Sequence, residues 1–486
     1  MAGGVIQLVA VGAQDQFISG SPEISYFKMV YKRHTNFSME SVQQTFNNKP
    51  TLGSGSSQFI CRIGRVADML KEIYFQYQLP DIYSNQNLRF RWIENISQYI
   101  IYKTHVRLDT QLIDELYGEW MDVWNELTLS EDQRNSYNKM TGNTVDFNNP
   151  RTVNPYVIIN NNDINFEQYP EGSSSASPSI RGRRFYLPLQ FWFTKNPGLA
   201  LPLIALQYQN LEVTVELRDI NQLYQVYDIV NDIYVSPTEY QTRYPNNNVT
   251  TLVNDVIVAP AHYNLNVSAN NDVSIKRFLV PIGSSYESVS GVIDINATLE
   301  CNYIFLDEDE RKVMALNSHD YLIERVYRLD KEGILELDTI DLILQNPVKE
   351  LVWITRRGDT QKYNNWSNFT NSLDGLSNNH ILNTARLLWN GMDRFEDKPA
   401  EYFNYVQPFQ HHTRSPRDGI YAYSFALYPE KIQPSGSFNA STINRIQMYV
   451  TTNPVLDNYE YQFVVYSRYY NIFRVVSGSG GMVYAN

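Results

Sequence analysis

Short runs in which apolar and polar residues alternate constrain this chain more than any other feature of its 486 residues. A strand turns successive side chains to opposite faces, so a period of two marks a sheet with one buried face. In "KEIYFQYQL", Ile73, Phe75 and Tyr77 share a face. In "LEVTVEL", Leu211, Val213, Val215 and Leu217 oppose Glu212, Thr214 and Glu216. "YAYSFAL" sets Tyr421, Tyr423, Phe425 and Leu427 together, and "YQFVVYSRYY" behaves similarly. Turn residues punctuate these runs. Many such strands over two or three domains' length of chain predict an all-β protein of sandwiches or jelly rolls. No glycine-rich phosphate loop follows any of them, which counts against a nucleotide-binding α/β fold.

Composition narrows the function classes. The 36 tyrosines suit strand faces where a ring packs and its hydroxyl stays wet. Charged residues are only 19%, so Asn, Gln, Ser and Thr must form much of the polar surface. A net charge of -12 argues against direct binding along nucleic acid, which needs a basic face to release counterions. "YKRH" and "RGRR" read as scattered surface charge. Cys61 and Cys301, the only cysteines, cannot build a disulfide framework or a cysteine-rich zinc site and read as free buried thiols in a reducing compartment. The N-terminal stretch has no basic region before its short apolar run and makes a poor signal peptide, and no apolar window is long enough to span a membrane. Sequons begin at Asn36, Asn95, Asn248, Asn266, Asn296, Asn365, Asn368 and Asn439, as an Asn-rich chain produces without selection for glycans.

The clearest helical pattern is "DTQLIDELYGEWMDVWNELT". Ile113, Leu116, Tyr117, Trp120 and Trp124 fall at helical spacing, with Asp109 or Thr110 as N-cap. A second helix follows, with a capping box at Ser130 and Gln133 and a stop at Gly142. The low-complexity "EGSSSASPSIRGRR" reads as an exposed loop and "YPNNNVTTLVNDV" as a second polar stretch. The change of composition after Asp219 is the expected division between two halves, which show no identity-level repeat.

Candidate chemistry is sparse. Pro434-Ser435-Gly436, with His411 and His412 upstream, invites comparison with a hydrolase nucleophile and base. However, Ser435 follows Pro434 where a nucleophile elbow has glycine, and a strand-like "INRIQMYV" comes next in place of a helix. Pro-Ser-Gly suits a stiff turn. Adjacent histidines in a strand would point to opposite faces and chelate poorly. "DEDER", Asp307 to Arg311, lacks the glycine and spacing of a calcium loop and reads as an acidic helix start. No catalytic, cofactor-binding or metal-binding residue is assigned.

Five blocks resemble the major capsid proteins of nucleocytoplasmic large DNA viruses, a double jelly-roll family. They are "GAQDQFISGSPEISYFKMVYKRHTNFSME" from Gly12, "FYLPLQFWFTKNPGLALPLIALQYQNLEVTVEL" from Phe185, "CNYIFLDEDERKVMALNSHDYLIERV" from Cys301, "NPVKELVWITRR" from Asn346, and the long run from Trp389 to Ile446 that holds "QPFQHH" and "FALYPEKIQPSGSFNAS". The resemblance implies two consecutive eight-stranded antiparallel jelly rolls with short helices in the loops, and no active site. The expected division is an N-terminal arm over 1–25, a first roll over 26–219 and a second over 220–486, with 220–291 as linker and insertion. The resemblance further implies a homotrimer that forms a pseudo-hexagonal capsomer. Neighbouring capsomers tile the shell, helped by minor capsid and penton proteins, above an inner viral membrane the chain does not span. It places the protein in the virion, made and assembled in host cytoplasm; glycans are possible. The alternative is a carbohydrate-binding or carbohydrate-processing β-sandwich, since tyrosine and tryptophan faces stack on sugars.

Overall fold

Two jelly rolls of identical strand order follow one another in the computed structural model, which describes residues 3–84, 89–148, 178–228, 231–244, 251–253, 256–258, 272–281, 284–373, 380–455 and 458–484. The first roll comprises β1 (Phe37–Thr45), β2 (Ser57–Arg62), β3 (Met69–Gln78), β4 (Ile101–Leu108), β5 (Gln111–Tyr117), β6 (Arg184–Pro188), β7 (Leu211–Leu217) and β8 (Thr298–Leu306). They form antiparallel sheets in the orders β1-β8-β3-β6 and β2-β7-β4-β5. The second roll comprises β9 (His319–Ile334), β10 (Leu337–Asp341), β11 (Pro347–Arg357), β12 (Leu382–Trp389), β13 (Met392–Pro399), β14 (Ile420–Ser424), β15 (Ile446–Thr452) and β16 (Tyr461–Val476). Its sheets run β9-β16-β11-β14 and β10-β15-β12-β13, the first roll's orders shifted by eight. Two short strands, Phe438–Asn439 and Ser479–Met482, extend the first of these sheets.

This topology moves the expected division of the chain. β8 lies between β1 and β3, with Cys301 opposite Val42 on one side and Ile73 on the other. The first roll therefore closes at Leu306, not Asp219, and residues 218–297 are an excursion between its last two strands rather than a linker. Composition marks the excursion's polar content, whereas strand pairing decides which half owns β8. The arm is also longer than 1–25: the described residues from Gly3 to Asn36 lie almost wholly exposed before β1 begins. The Ser-rich loop around Ser173 and most of the 244–256 stretch fall outside the described residues.

The expected long helix also divides. Asp109 sits at φ +50° in a tight turn, and Gln111–Tyr117 returns as β5 against β4, with Leu116 opposite Thr104. The helix begins only at Gly118 and runs to Thr128. Gly118 is required there, because a Cβ would fall 2.0 Å from the Gln98 carbonyl oxygen. The next helix, Glu131–Thr141, carries the expected Ser130–Gln133 capping box and ends at Gly142 at φ +81°. Asp307 caps the Glu308–Leu316 helix by accepting from the Glu310 amide at 3.0 Å, so "DEDER" is the acidic helix start expected.

In the β9-β16-β11-β14 sheet of the second roll, β11 and β16 are buried on both faces, and alternation along them sorts side chains between two cores. Leu351 and Trp353 of β11 and Phe463 and Val465 of β16 join the core within the second roll. Val352 and Ile354, with Val464 and Tyr466, pack instead into the core that continues from the first roll. The two rolls thus share a seam of interior, not a hinge of exposed chain.

Candidate functional site

The Gly118–Thr128 helix is wedged into that seam, with ten of its eleven residues buried. Glu119, Asp122 and Glu126 recur at spacings of three and four, which puts three carboxylates on one helix face. Trp120 and Trp124 stack beside them with ring centroids 5.5 Å apart. Most of the groups that meet these carboxylates come from the second roll. Glu119 pairs with Arg356, lies 3.8 Å from Arg328 and accepts the Tyr466 hydroxyl at 2.8 Å. Asp122 pairs with Arg417 and accepts the Tyr99 hydroxyl at 3.0 Å and the Asn95 amide at 2.9 Å. Glu126 pairs with Arg414, and with Arg134 at 3.0 Å. Trp124 completes the wedge, with the Arg468 guanidinium 3.9 Å over its ring.

A second ionic knot lies behind Trp124. Arg468 bridges Glu350 and Glu324, and Lys349 also pairs with Glu324. His412 stands between two carboxylates, Nε2 3.3 Å from Glu350 and Nδ1 3.1 Å from Glu430. Burial alone would lower the histidine's pKa, but the Glu350 charge and the hydrogen bonds to Glu350 and Glu430 win and raise it to about 9. Glu350 is also opposed by burial, yet Arg468 and His412 hold it at about 2. Asp114, nearby on β5, is pushed up to about 6 by burial despite Arg325 and the Trp192 amide. This knot lies within the second roll, where excising one partner would leave a buried charge uncompensated. The pairs of Glu119, Asp122 and Glu126 with Arg356, Arg417 and Arg414 couple the two rolls ionically as well as apolarly.

The residues singled out for possible chemistry occupy structural positions. His411 ends a short helix, Gln407–His411, and His412 follows it, so the pair does not lie in a strand; His412 has both ring nitrogens facing carboxylates and no freedom to act as a base toward Ser435. The Ser435 hydroxyl accepts from the Tyr428 amide at 2.9 Å, and Leu427 donates to its carbonyl at 3.2 Å. Gly436 takes φ +139°, where a Cβ would lie 2.8 Å from the Phe425 carbonyl oxygen. The turn is a corner. Burial pushes the Cys61 thiol up to about 12 and raises Cys301 as well, so both are poor nucleophiles. Among the described residues no cluster of three or more His, Cys, Asp or Glu is placed to hold a metal, and no helix is long and apolar enough to cross a membrane. The helix's tryptophans are legible in the sequence from their spacing, and the i, i+3, i+7 spacing of Glu119, Asp122 and Glu126 is the signal there for its three acids.

A double jelly roll whose halves are locked by a buried seam, with its former catalytic suspects used as struts, is a structural building block of the capsid class. Residues 25–307 match the family model "Major capsid protein N-terminus", and residues 310–481 match "Large eukaryotic DNA virus major capsid protein". The chain belongs to the major capsid proteins of large eukaryotic DNA viruses. The models meet where strand pairing divides the rolls. The chain is 32% identical to the major capsid protein of Phaeocystis pouchetii virus and 29% identical to that of Paramecium bursaria Chlorella virus 1, with all of both chains covered in each case. Among solved structures it resembles the PBCV-1 virus capsid at 25% identity and TM-score 0.64, covering 95% of this chain and 100% of that one. The Faustovirus major capsid protein shares the fold at 13% identity and TM-score 0.65, covering 96% and 94%.

Proposed function

We propose that three copies of this chain close into a capsomer of near-sixfold outline and that such capsomers tile the icosahedral shell of a large double-stranded DNA virus. One observation carries the reading: each copy holds two jelly rolls of the same strand order, fixed to each other by the seam. Three copies then present six similar wedges, and a closed ring leaves no open-ended contact. Minor capsid and penton proteins complete the shell, and the exposed arm before Phe37 meets them or neighbouring capsomers on the inner face, above the viral membrane. Assembly takes place in host cytoplasm, and the acidic net charge keeps the protein off the genome itself. Family membership decides against carbohydrate processing. Electron microscopy of the purified protein tests the proposal: particles with hexagonal outline are expected, and a field of separate two-lobed monomers would refute it.

A further inference from the structure

Beside the seam, where the end of β7 faces β9 and β11, a cavity of about 480 Å³ opens between the rolls. Arg218 lines it from the first roll. Its guanidinium lies 4.6 Å from the Trp366 ring centroid, 5.1 Å from Tyr102 and 6.0 Å from Tyr99. Among the described residues nothing accepts a hydrogen bond from this side chain, and its Nε is buried without a partner. The other arginines of the seam differ: Arg328, Arg356, Arg414, Arg417 and Arg468 each meet at least one carboxylate. Arg218 is half-buried, and each of those five arginines also keeps one buried nitrogen without a partner. Arg218 alone of the six meets no carboxylate, however, which leaves room beside it for an acceptor the chain itself does not supply.

We propose that this cavity is a binding site for a small organic monocarboxylate, with Arg218 as its anchor. The planar guanidinium fork matches a carboxylate in bidentate geometry. Tyr102, 42% exposed, offers a flat wall to an apolar body. Glu119, Glu216, Asp219, Asp330 and Glu332 line the same cavity, beside Arg328 and Arg356. Its lining is thus acidic on balance and disfavours phosphate and other multiply charged anions more than a single carboxylate held by Arg218. The volume lies in the range of small-molecule sites, which favour domain interfaces. This site is independent of how many copies assemble.

Phenylglyoxal labelling of the intact protein, read by peptide mass spectrometry, tests it with benzoate as probe. Arg218 should react in the free protein. Benzoate at about ten times its Kd should lower that labelling about tenfold, as simple occupancy requires, while inorganic phosphate at equal ionic strength leaves it unchanged. Arg33 in the exposed arm should react equally throughout. Resistance of Arg218 to the reagent in the free protein, absence of protection by benzoate, or equal protection by phosphate would each overturn the proposal. Calorimetric titration gives a second readout: benzoate binding to the wild type should vanish in Arg218→Gln, and its persistence would also overturn it.

Discussion

His412 carries a charge that its own burial opposes, so its contribution to stability depends on pH with a definite sign. Its pKa of about 9 in the folded chain lies above the ordinary value of 6.5. The stabilisation is therefore complete below about pH 6.5 and is lost as pH rises through about 9, at up to about 1.4 kcal/mol per pH unit. The melting temperature of the wild type should fall across that window. His412→Gln should start lower and stay flatter; a variant that keeps the full wild-type slope would contradict the assignment. Glu350 acts at the acid end, where its contribution fades as pH drops from 4.5 toward about 2. At the nearby turn, Ser435→Ala removes one exposed hydrogen bond and should cost less than about 1 kcal/mol in a thermal or denaturant melt. Gly436→Val forces a β-branched residue to φ +139° against the Phe425 carbonyl and should cost about 1–3 kcal/mol or more. Equal tolerance of the two substitutions would defeat this account of the corner. Pro-Ser-Gly was legible as a turn because its backbone chemistry is local. The ionisation of His412 was not, because Glu350 and Glu430 reach it only through the fold.

At the scale of elements, the Gly118–Thr128 helix holds the two rolls in register. Glu119→Ala leaves Arg356 buried without its carboxylate and should destabilise the seam by roughly 3–5 kcal/mol, the cost of breaking a buried ion pair. Calorimetry should show this as an earlier transition, and an unchanged first transition would place the coupling elsewhere. The arm makes a separate prediction. Lys28, Lys32 and Arg33 lie in exposed chain, so brief trypsin treatment of the isolated oligomer should trim the arm without dissociating the particle, and the assembled shell should protect it. Dissociation on trimming would contradict an arm that acts only between capsomers. Element type was legible where one face is wet, as in Leu211–Leu217, whose outward Glu212 and Glu216 are half-buried and whose inward valines are buried. It failed at Gln111–Tyr117, because Ile113 and Leu116 fit a helical stripe as well as they fit a strand with a buried side. The turn at Asp109 and pairing with β4, both invisible to periodicity, decided for the strand.

For the whole molecule, the two rolls repeat a topology without repeating a recognisable sequence, since strand order depends on burial pattern and turn placement more than on residue identity. The all-β class was therefore legible, and so was the family, from long blocks with unusual composition. The boundary was not: β8 returns to the first roll after a long excursion, and only pairing with β1 and β3 shows where it belongs. The seam was also hidden in the sequence. Lys349, Glu350 and Arg468 are buried in strands that face two cores, where composition alone suggests solvent. The central claim is that this rigid pair of rolls is one third of a closed ring, with an obligate interface of more than about 2,000 Å². Light scattering coupled to size exclusion at micromolar concentration tests it most directly. A mass near three times 56.5 kDa that persists on dilution is the predicted result, and a stable species of 56.5 kDa would contradict it.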